Sequence, residues 1–349
     1  MLRGGSAARR PDVWTSRRLG GSALLAVTTV LSSCCGSRDN GSQELVVIPA
    51  GATVRVVAES LAAHGVIESP FWFRVVTKLK GKERALQRGA YSLPRGAGVN
   101  AALDALVSGK AILVRLTIPE GFTLLDMAAV VESTLAIPRD RFLEAARDTA
   151  MLREFGIPGP SFEGYLRPET YLVAPGLGAA KVVRVMMERF IADWKPGWDS
   201  LARAQGLDRH QVVILASIVE TEARVDNDRP LIAAVLRNRL GLGMPLQADA
   251  TILYAMQLAG ARKTRLYEKD YRYPSPFNTY QQPGLPPGPV GAPGTRSIEA
   301  VLSPAPASFL YYVARPDGSH VFSRTYREHL RAIQAVRAQA RGPGRTASP

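Results

Sequence analysis

Apolar positions along this chain follow two periods, and the change from one to the other marks its elements. LVVI at 45–48 reads as a strand, and a turn follows at Pro49-Ala50-Gly51. From Thr53 to His64 the apolar residues fall at 54, 57, 58, 61 and 62, the spacing of one helical face. A second helix is predicted over 69–79, a strand near 88–93, a helix over 99–107 and a strand over 112–118. Past the turn Pro119-Glu120-Gly121, Thr123 suits an N-cap, and helices are predicted at 123–133, 139–147, 180–193, 197–205, 209–224 and 229–240. Residues 241–296 are richer in turns. The chain closes with a helix at 297–302, a strand at 308–314, a hairpin at Pro316-Asp317-Gly318-Ser319, a strand at 320–323 and a helix at 324–339. Asp-Gly between apolar runs favours such a hairpin. The pattern predicts an α+β fold: a small module, then a larger, mostly helical α+β domain. There is no internal repeat.

The first residues read differently. Residues 1–18 are basic and end in Arg17-Arg18; residues 19–35, LGGSALLAVTTVLSSCC, are uncharged and largely apolar. A basic flank before an apolar run signals export or anchoring, with the positive end in the cytoplasm. The run is at the short limit for a spanning helix, which needs roughly 20 residues. Leu31-Ser32-Ser33-Cys34 also resembles a lipobox. Two placements therefore stand: a single-pass anchor in the inner membrane, or a lipoprotein lipidated at Cys34. Both leave the body of the protein tethered outside the cytoplasm. The expected layout is a basic cytoplasmic segment at 1–18, the anchor or signal at 19–35, a linker at 36–44, the small module at 45–115, the large domain at 116–337 and a basic, disordered tail at 338–349.

Composition narrows the function. A hydrophobic content of 46% excludes a disordered chain. The net charge of +14 invites a nucleic-acid reading. Half of that charge, however, sits at residues 1–43 and 337–349, and no Lys/Arg stripe with interleaved aromatics occurs, so no nucleic acid partner is expected. A basic surface suits an anionic polymer or anionic lipid. Cys34 and Cys35 are adjacent and offer no metal spacing. His64, His210, His320 and His329 form no paired-ligand pattern, so neither metal nor cofactor is expected; His320 and His329 should cap or pack against the last helix.

The chemistry concentrates in residues 211–224, QVVILASIVETEAR, where a nearly all-apolar helix carries Glu220 and Glu222. A carboxylate in an apolar wall is costly, and desolvation raises its pKa toward that of a general acid. On a helical wheel Glu220 shares its face with Val213, Ala216, Ser217 and Arg224. Ala216 and Ser217 are small and leave room for a substrate. Glu222 sits beside the bulkier Leu215, Ile218 and Val219, which look like packing contacts. Glu220 is thus the expected reactive group; the plain alternative is that the helix ends here with both glutamates in water. The segment 283–294, PGLPPGPVGAPG, reads equally as a linker or as a rigid wall.

Six segments, in order, resemble the endolytic murein transglycosylases, the YceG-like proteins: IPEG (118–121), FEGYLRPETY (162–171), LASIVETEA (215–223), LQADATILYAM (246–256), SPFNTYQQPGLPPGPVGAPG (275–294) and HVFSRTYREH (320–329). The similarity runs from about residue 45 to 335. The resemblance implies an enzyme that cuts nascent peptidoglycan inside the glycan strand, a LysM-like small domain, an N-terminal membrane helix and peptidoglycan synthases as partners. It maps the catalytic glutamate of the IVE motif onto Glu220; the lipobox-like LSSC departs from the pattern. A lytic transglycosylase can work with one carboxylate, which protonates the leaving glycosidic oxygen and then takes the proton of the sugar's own C6 hydroxyl.

To hold a glycan, the favoured side chains are Gln247, Asn278, Tyr280, Glu163, Tyr165 and Tyr171. Each has an ordinary reading. Tyr165 and Tyr171 suit a core, Glu163 could cap a turn, and Glu169 could be solvated. Gln247 could close a helix N-terminus, Asp249 suits an N-cap, and Asn278 and Tyr280 could only steady a turn. Two rivals remain: a hydrolase that adds water, with Asp249 or Glu163 as second carboxylate, and a non-catalytic peptidoglycan-binding module.

Overall fold

The computed structural model describes residues 42–49 and 51–341. The predicted anchor at 19–35, Cys34 and most of the tail lie outside the described residues. Among those described, no helix is long and apolar enough to cross a membrane.

The first core is small. Strand β1 (Gln43–Ile48) leads through α1 (Val54–Ala63) and α2 (Pro70–Leu79) to β2 (Gly89–Pro94) and α3 (Gly98–Ser108). β1 and β2 pair antiparallel, from Gln43 opposite Pro94 to Ile48 opposite Gly89. α1 and α2 start as their sequence requires: Thr53 Oγ1 accepts from the Val56 N–H, Ser69 Oγ accepts from the Trp72 N–H, and Pro70 occupies the first turn of α2. Val46, Ile48, Val57, Leu61, Phe73, Tyr91, Leu103 and Leu106 close the core between sheet and helices.

A separate core runs through the rest of the chain. β3 (Val114–Thr117) and β4 (Thr170–Val173) pair antiparallel. Between them lie α4 (Leu124–Leu135), α5 (Arg139–Ala145) and α6 (Thr149–Glu154). Thr123 and Asp126 form a capping box that starts α4. Then follow α7 (Ala179–Asp193), α8 (Trp198–Ala204), α9 (Arg209–Glu222), α10 (Arg229–Gly241), α11 (Asp249–Leu258) and α12 (Thr295–Leu302). The hairpin β5 (Tyr311–Ala314) and β6 (His320–Ser323) precedes α13 (Tyr326–Arg341).

Helix α9 is the axis of this unit. Asp208 and Gln211 form its capping box, and every residue from Val212 to Val219 is buried. α9 stops at Glu222, because Ala223 turns extended (φ −79°, ψ 118°). Three elements escape the sequence pattern. α6 and β4 have six and four residues, too few to show a period. α11 buries Thr251, Ile252, Tyr254, Ala255 and Met256, so apolar residues face nearly all ways and the helical stripe is blurred. Asp249 is its first residue and makes no side-chain capping bond, which corrects the expected N-cap.

Candidate active site

The last turn of α9 carries both glutamates, and their surroundings differ. Glu220 is shut in. Its side chain is 6% exposed. Oε1 accepts from Arg229 Nη1 at 2.9 Å, and Oε2 accepts from the Gly294 N–H at 2.8 Å. Arg229 also bonds Ser297 and Asp226, which ties α10 and α12 to α9. The space over Ala216 and Ser217 is filled too. Ser217 Oγ accepts from the Val290 N–H at 3.0 Å and donates to the Ile214 carbonyl at 2.7 Å. The small residues beside Glu220 therefore accommodate the Pro/Gly segment and no substrate, which corrects the wheel-based preference for this face.

That segment is a wall. Val290 and Ala292 are buried, and Ala292 exchanges backbone bonds with Gly121 and Phe122 at 2.8 Å each. A Cβ on Gly291 (φ +157°) would lie 2.6 Å from the Gly121 carbonyl oxygen, so only glycine permits this approach.

Glu222 faces space. It lines a cavity of about 360 Å³ together with Thr123, Asp126, Thr221, Asp249, Gln257 and Lys263. It also lines a second cavity of about 450 Å³ with Arg239, Gln247, Asp249, Tyr271, Tyr280 and Tyr312. Part of its surface is exposed toward this space, yet protein surrounds the carboxyl closely. Desolvation pushes its pKa up to about 7, and the nearby charge of Asp249 adds to the rise. The backbone N–H groups of Ala250 and Asp249 and the Tyr312 hydroxyl act the other way.

Several elements converge to build the second cavity. Arg239 on α10 donates to the carbonyls of Leu310, Pro245 and Leu246 and to Gln247 Oε1, with 2.7–3.1 Å separations. It thereby fixes the β5 hairpin, which brings Tyr312, against the loop that brings Gln247. Gln247 sits at φ +53°, an uncommon backbone for a side chain of its kind, and its N–H is held by the Thr279 carbonyl. The Tyr280 hydroxyl donates to Asp249 Oδ1 at 2.6 Å. Burial raises the Tyr312 and Tyr280 pKa values, so both hydroxyls remain protonated donors at neutral pH.

Of the residues expected to hold a glycan, Gln247 and Tyr280 thus share a cavity with Glu222. Asn278 does not reach it: fully buried, it donates to the Tyr271 and Tyr273 carbonyls and accepts from the Tyr280 N–H, holding the turn that aims Tyr280. Tyr171 packs in the core with its hydroxyl on the Arg167 carbonyl at 2.5 Å. Glu163 and Tyr165 line a different cavity, of about 280 Å³. Glu163 is buried, accepts from the Leu124 N–H at 3.2 Å and from the Tyr254 hydroxyl at 3.1 Å, and desolvation pushes its pKa up to about 8. The Tyr165 hydroxyl bonds His210 Nδ1 at 2.6 Å. Glu169 pairs with Arg189 at 2.5 Å. His320 is buried against Asp228 at 2.9 Å and lines the tyrosine cavity; His329 stacks on Tyr311 at 5.2 Å. The sequence reading weighed Glu222 and set it aside as a packing group, and it did not single out Arg239, Tyr271 or Tyr312. Only their nearness to the quoted motifs could have flagged them. Among the described residues no cluster suited to a metal ion occurs.

Residues 46–335 match the model of the YceG-like family. The chain is 31% identical over 311 residues to a protein of Bacillus subtilis (strain 168) named endolytic murein transglycosylase, covering 84% of this chain and 85% of that one. It is 27% identical to a protein of the same name from Streptococcus pneumoniae serotype 2 (strain D39), of whose length it spans 57%. The crystal structure of a YceG-like protein from Listeria monocytogenes superposes with a TM-score of 0.58 at 29% identity, over 83% of this chain and 99% of the other. The six motifs, the two-core fold and these matches agree, and the chain belongs to the YceG-like family.

Proposed function

We propose that this protein is an endolytic peptidoglycan lytic transglycosylase in which Glu222 is both acid and base. The observation that carries the assignment is a carboxyl pushed up to about 7 where two cavities meet. Two adjoining hollows suit a polymer threaded past the acid, with sugars on either side of the scissile bond. The names of the Bacillus and pneumococcal relatives support the same substrate and reaction.

Protonated Glu222 gives its proton to the glycosidic oxygen as the bond from C1 of N-acetylmuramic acid breaks. The resulting carboxylate then takes the proton of the same sugar's C6 hydroxyl. That oxygen bonds to C1 and closes a 1,6-anhydro ring. No water is consumed and the enzyme recovers its proton. The nucleophile belongs to the substrate, so ring closure gains from proximity. The cycle calls for no metal or cofactor. Tyr280, Tyr312 and Gln247 offer donors, acceptors and ring faces to the sugars. Glu220, bonded to Arg229 and Gly294, fixes the end of α9 against the wall and acts as a positioning residue.

Residues 45–115 form the LysM-like domain in this reading; the β-α-α-β order over 43–94 supports it. The basic flank and apolar run at 1–35 support tethering to the inner membrane, by a single span or by lipidation at Cys34. Cleavage of nascent strands there would terminate their elongation beside a peptidoglycan synthase. The large domain spans 116–337.

Digesting intact glycan strands and weighing the fragments tests the reaction. Anhydro ends are expected. Reducing ends, one water heavier, would move the protein to the hydrolases, with Asp249 in the same cavities as second carboxylate. Uncut strands would leave only a binding role.

A further inference from the structure

Helix α2 has two apolar faces, and among the described residues one of them lacks a partner. Phe73 and Thr77 point into the small core and are fully buried. Phe71, Val75, Leu79 and Trp72 fall within an arc of about 100° on another side, by the helical period. Phe71 is 62% exposed, Trp72 59% and Leu79 82%. The two rings meet edge to face with centroids 5.7 Å apart. Arg74 and Lys78, one turn apart and both exposed, border the stripe. Single exposed apolar residues are ordinary; a stripe of aromatic and aliphatic side chains along one helix is a surface shaped for contact.

We propose that this face of α2 docks on the surface of an anionic lipid bilayer, with Phe71, Trp72 and Leu79 at the boundary of headgroups and acyl chains. Amphipathic helices that lie in this interface carry aromatic and leucine side chains on one face and Lys or Arg beside them. The charged groups within α2, Arg74 and Lys78, are cationic, with the exposed Glu68 as the acid just before the helix. Cationic donors of that kind match lipid phosphates. A sugar platform would instead call for amides or carboxylates around the rings. The exposed cations continue past the helix at Lys80, Lys82 and Arg84, with Glu83 as the acid among them.

Trp72 supplies the test. The full chain is mixed with vesicles of phosphatidylcholine, with or without phosphatidylglycerol, and floated. Lipids brominated in the acyl chain then quench tryptophan emission, and the same measurement on Trp72→Phe isolates the Trp72 signal. Quenching and a blue shift of that signal on the anionic vesicles are expected. Arg74→Gln and Lys78→Gln should each lower the docked-to-free ratio roughly fivefold. Those positions are exposed, so folding should be unaffected, and an unchanged circular dichroism spectrum verifies it. If the chain floats but Trp72 is not quenched, tethering survives and the docking proposal is wrong. If the chain fails to float even on anionic vesicles, both fall. If the Trp72 signal answers to soluble glycan fragments and not to lipid, the face belongs to the glycan and the proposal is overturned.

Discussion

A carboxyl that gives a proton and then takes one back works best with a pKa close to the working pH. Burial has brought Glu222 to about 7, with help from the charge of Asp249. A group raised this way keeps its proton below about pH 7 and loses it above. kcat/KM should therefore fall as pH rises through about 7. In Asp249→Asn the second cause of the rise is gone, so the falling limb should move to lower pH. A pH–rate profile of both proteins tests this, and a limb that stays in place would remove Asp249 from the account. Glu220 makes a different prediction. Its pair with Arg229 is nearly out of water, and breaking a buried pair costs about 3–5 kcal/mol. Glu220→Ala should lose stability of that order in urea unfolding; a loss under about 1 kcal/mol, the scale of an exposed pair, would contradict the burial.

Among elements, the wall at 283–294 matters as much as the helix it covers. Gly291→Ala places a methyl 2.6 Å from the Gly121 carbonyl oxygen, and the backbone has no cheap way to yield. The expected cost is about 1–3 kcal/mol, read as a lower Tm in calorimetry, with reduced cleavage because the wall bonds Ser217 and Glu220. This packing also explains what the sequence could and could not disclose. Helices with one apolar stripe, such as α1, and capped starts such as Thr123 were legible within a residue or two. α9 is buried from Val212 to Val219, so its wheel holds no solvent side from which to infer the open one. Ala216 and Ser217 read as room for a substrate because the segment that fills the room lies over 70 residues away. The tyrosines and Arg239 come together only through the β5 hairpin and the Gln247 loop, which no local spacing reveals. Glu222, Gln247 and Tyr280, the residues of the proposed site, all lie within the quoted stretches.

For the whole molecule, buried acid is a liability as well as a tool. Glu163 accepts the first N–H of α4 and the Tyr254 hydroxyl of α11, and its pKa stands at about 8 against an ordinary 4.5. The folded state holds that proton more tightly than the unfolded chain does. Stability should therefore fall as pH rises from about 4.5 through about 8. Glu222, raised to about 7, adds to the same trend, so the comparison that isolates Glu163 is wild type against Glu163→Gln. The variant should show a flatter dependence in chemical unfolding at several pH values; an unchanged slope would contradict the burial of a titrating Glu163. The two cavities, the wall and the hairpin matter to function only if Glu222 is the group they serve. The most direct test is the rate at which intact glycan strands are cut by wild type, Glu222→Gln and Glu220→Gln under one condition. Removing the acid should cost roughly 10²–10⁴-fold in Glu222→Gln, whose fold is retained, while Glu220→Gln, which can still accept from Gly294, keeps substantial activity. Full activity in Glu222→Gln, with cleavage lost in a folded Glu220→Gln, would contradict the assignment.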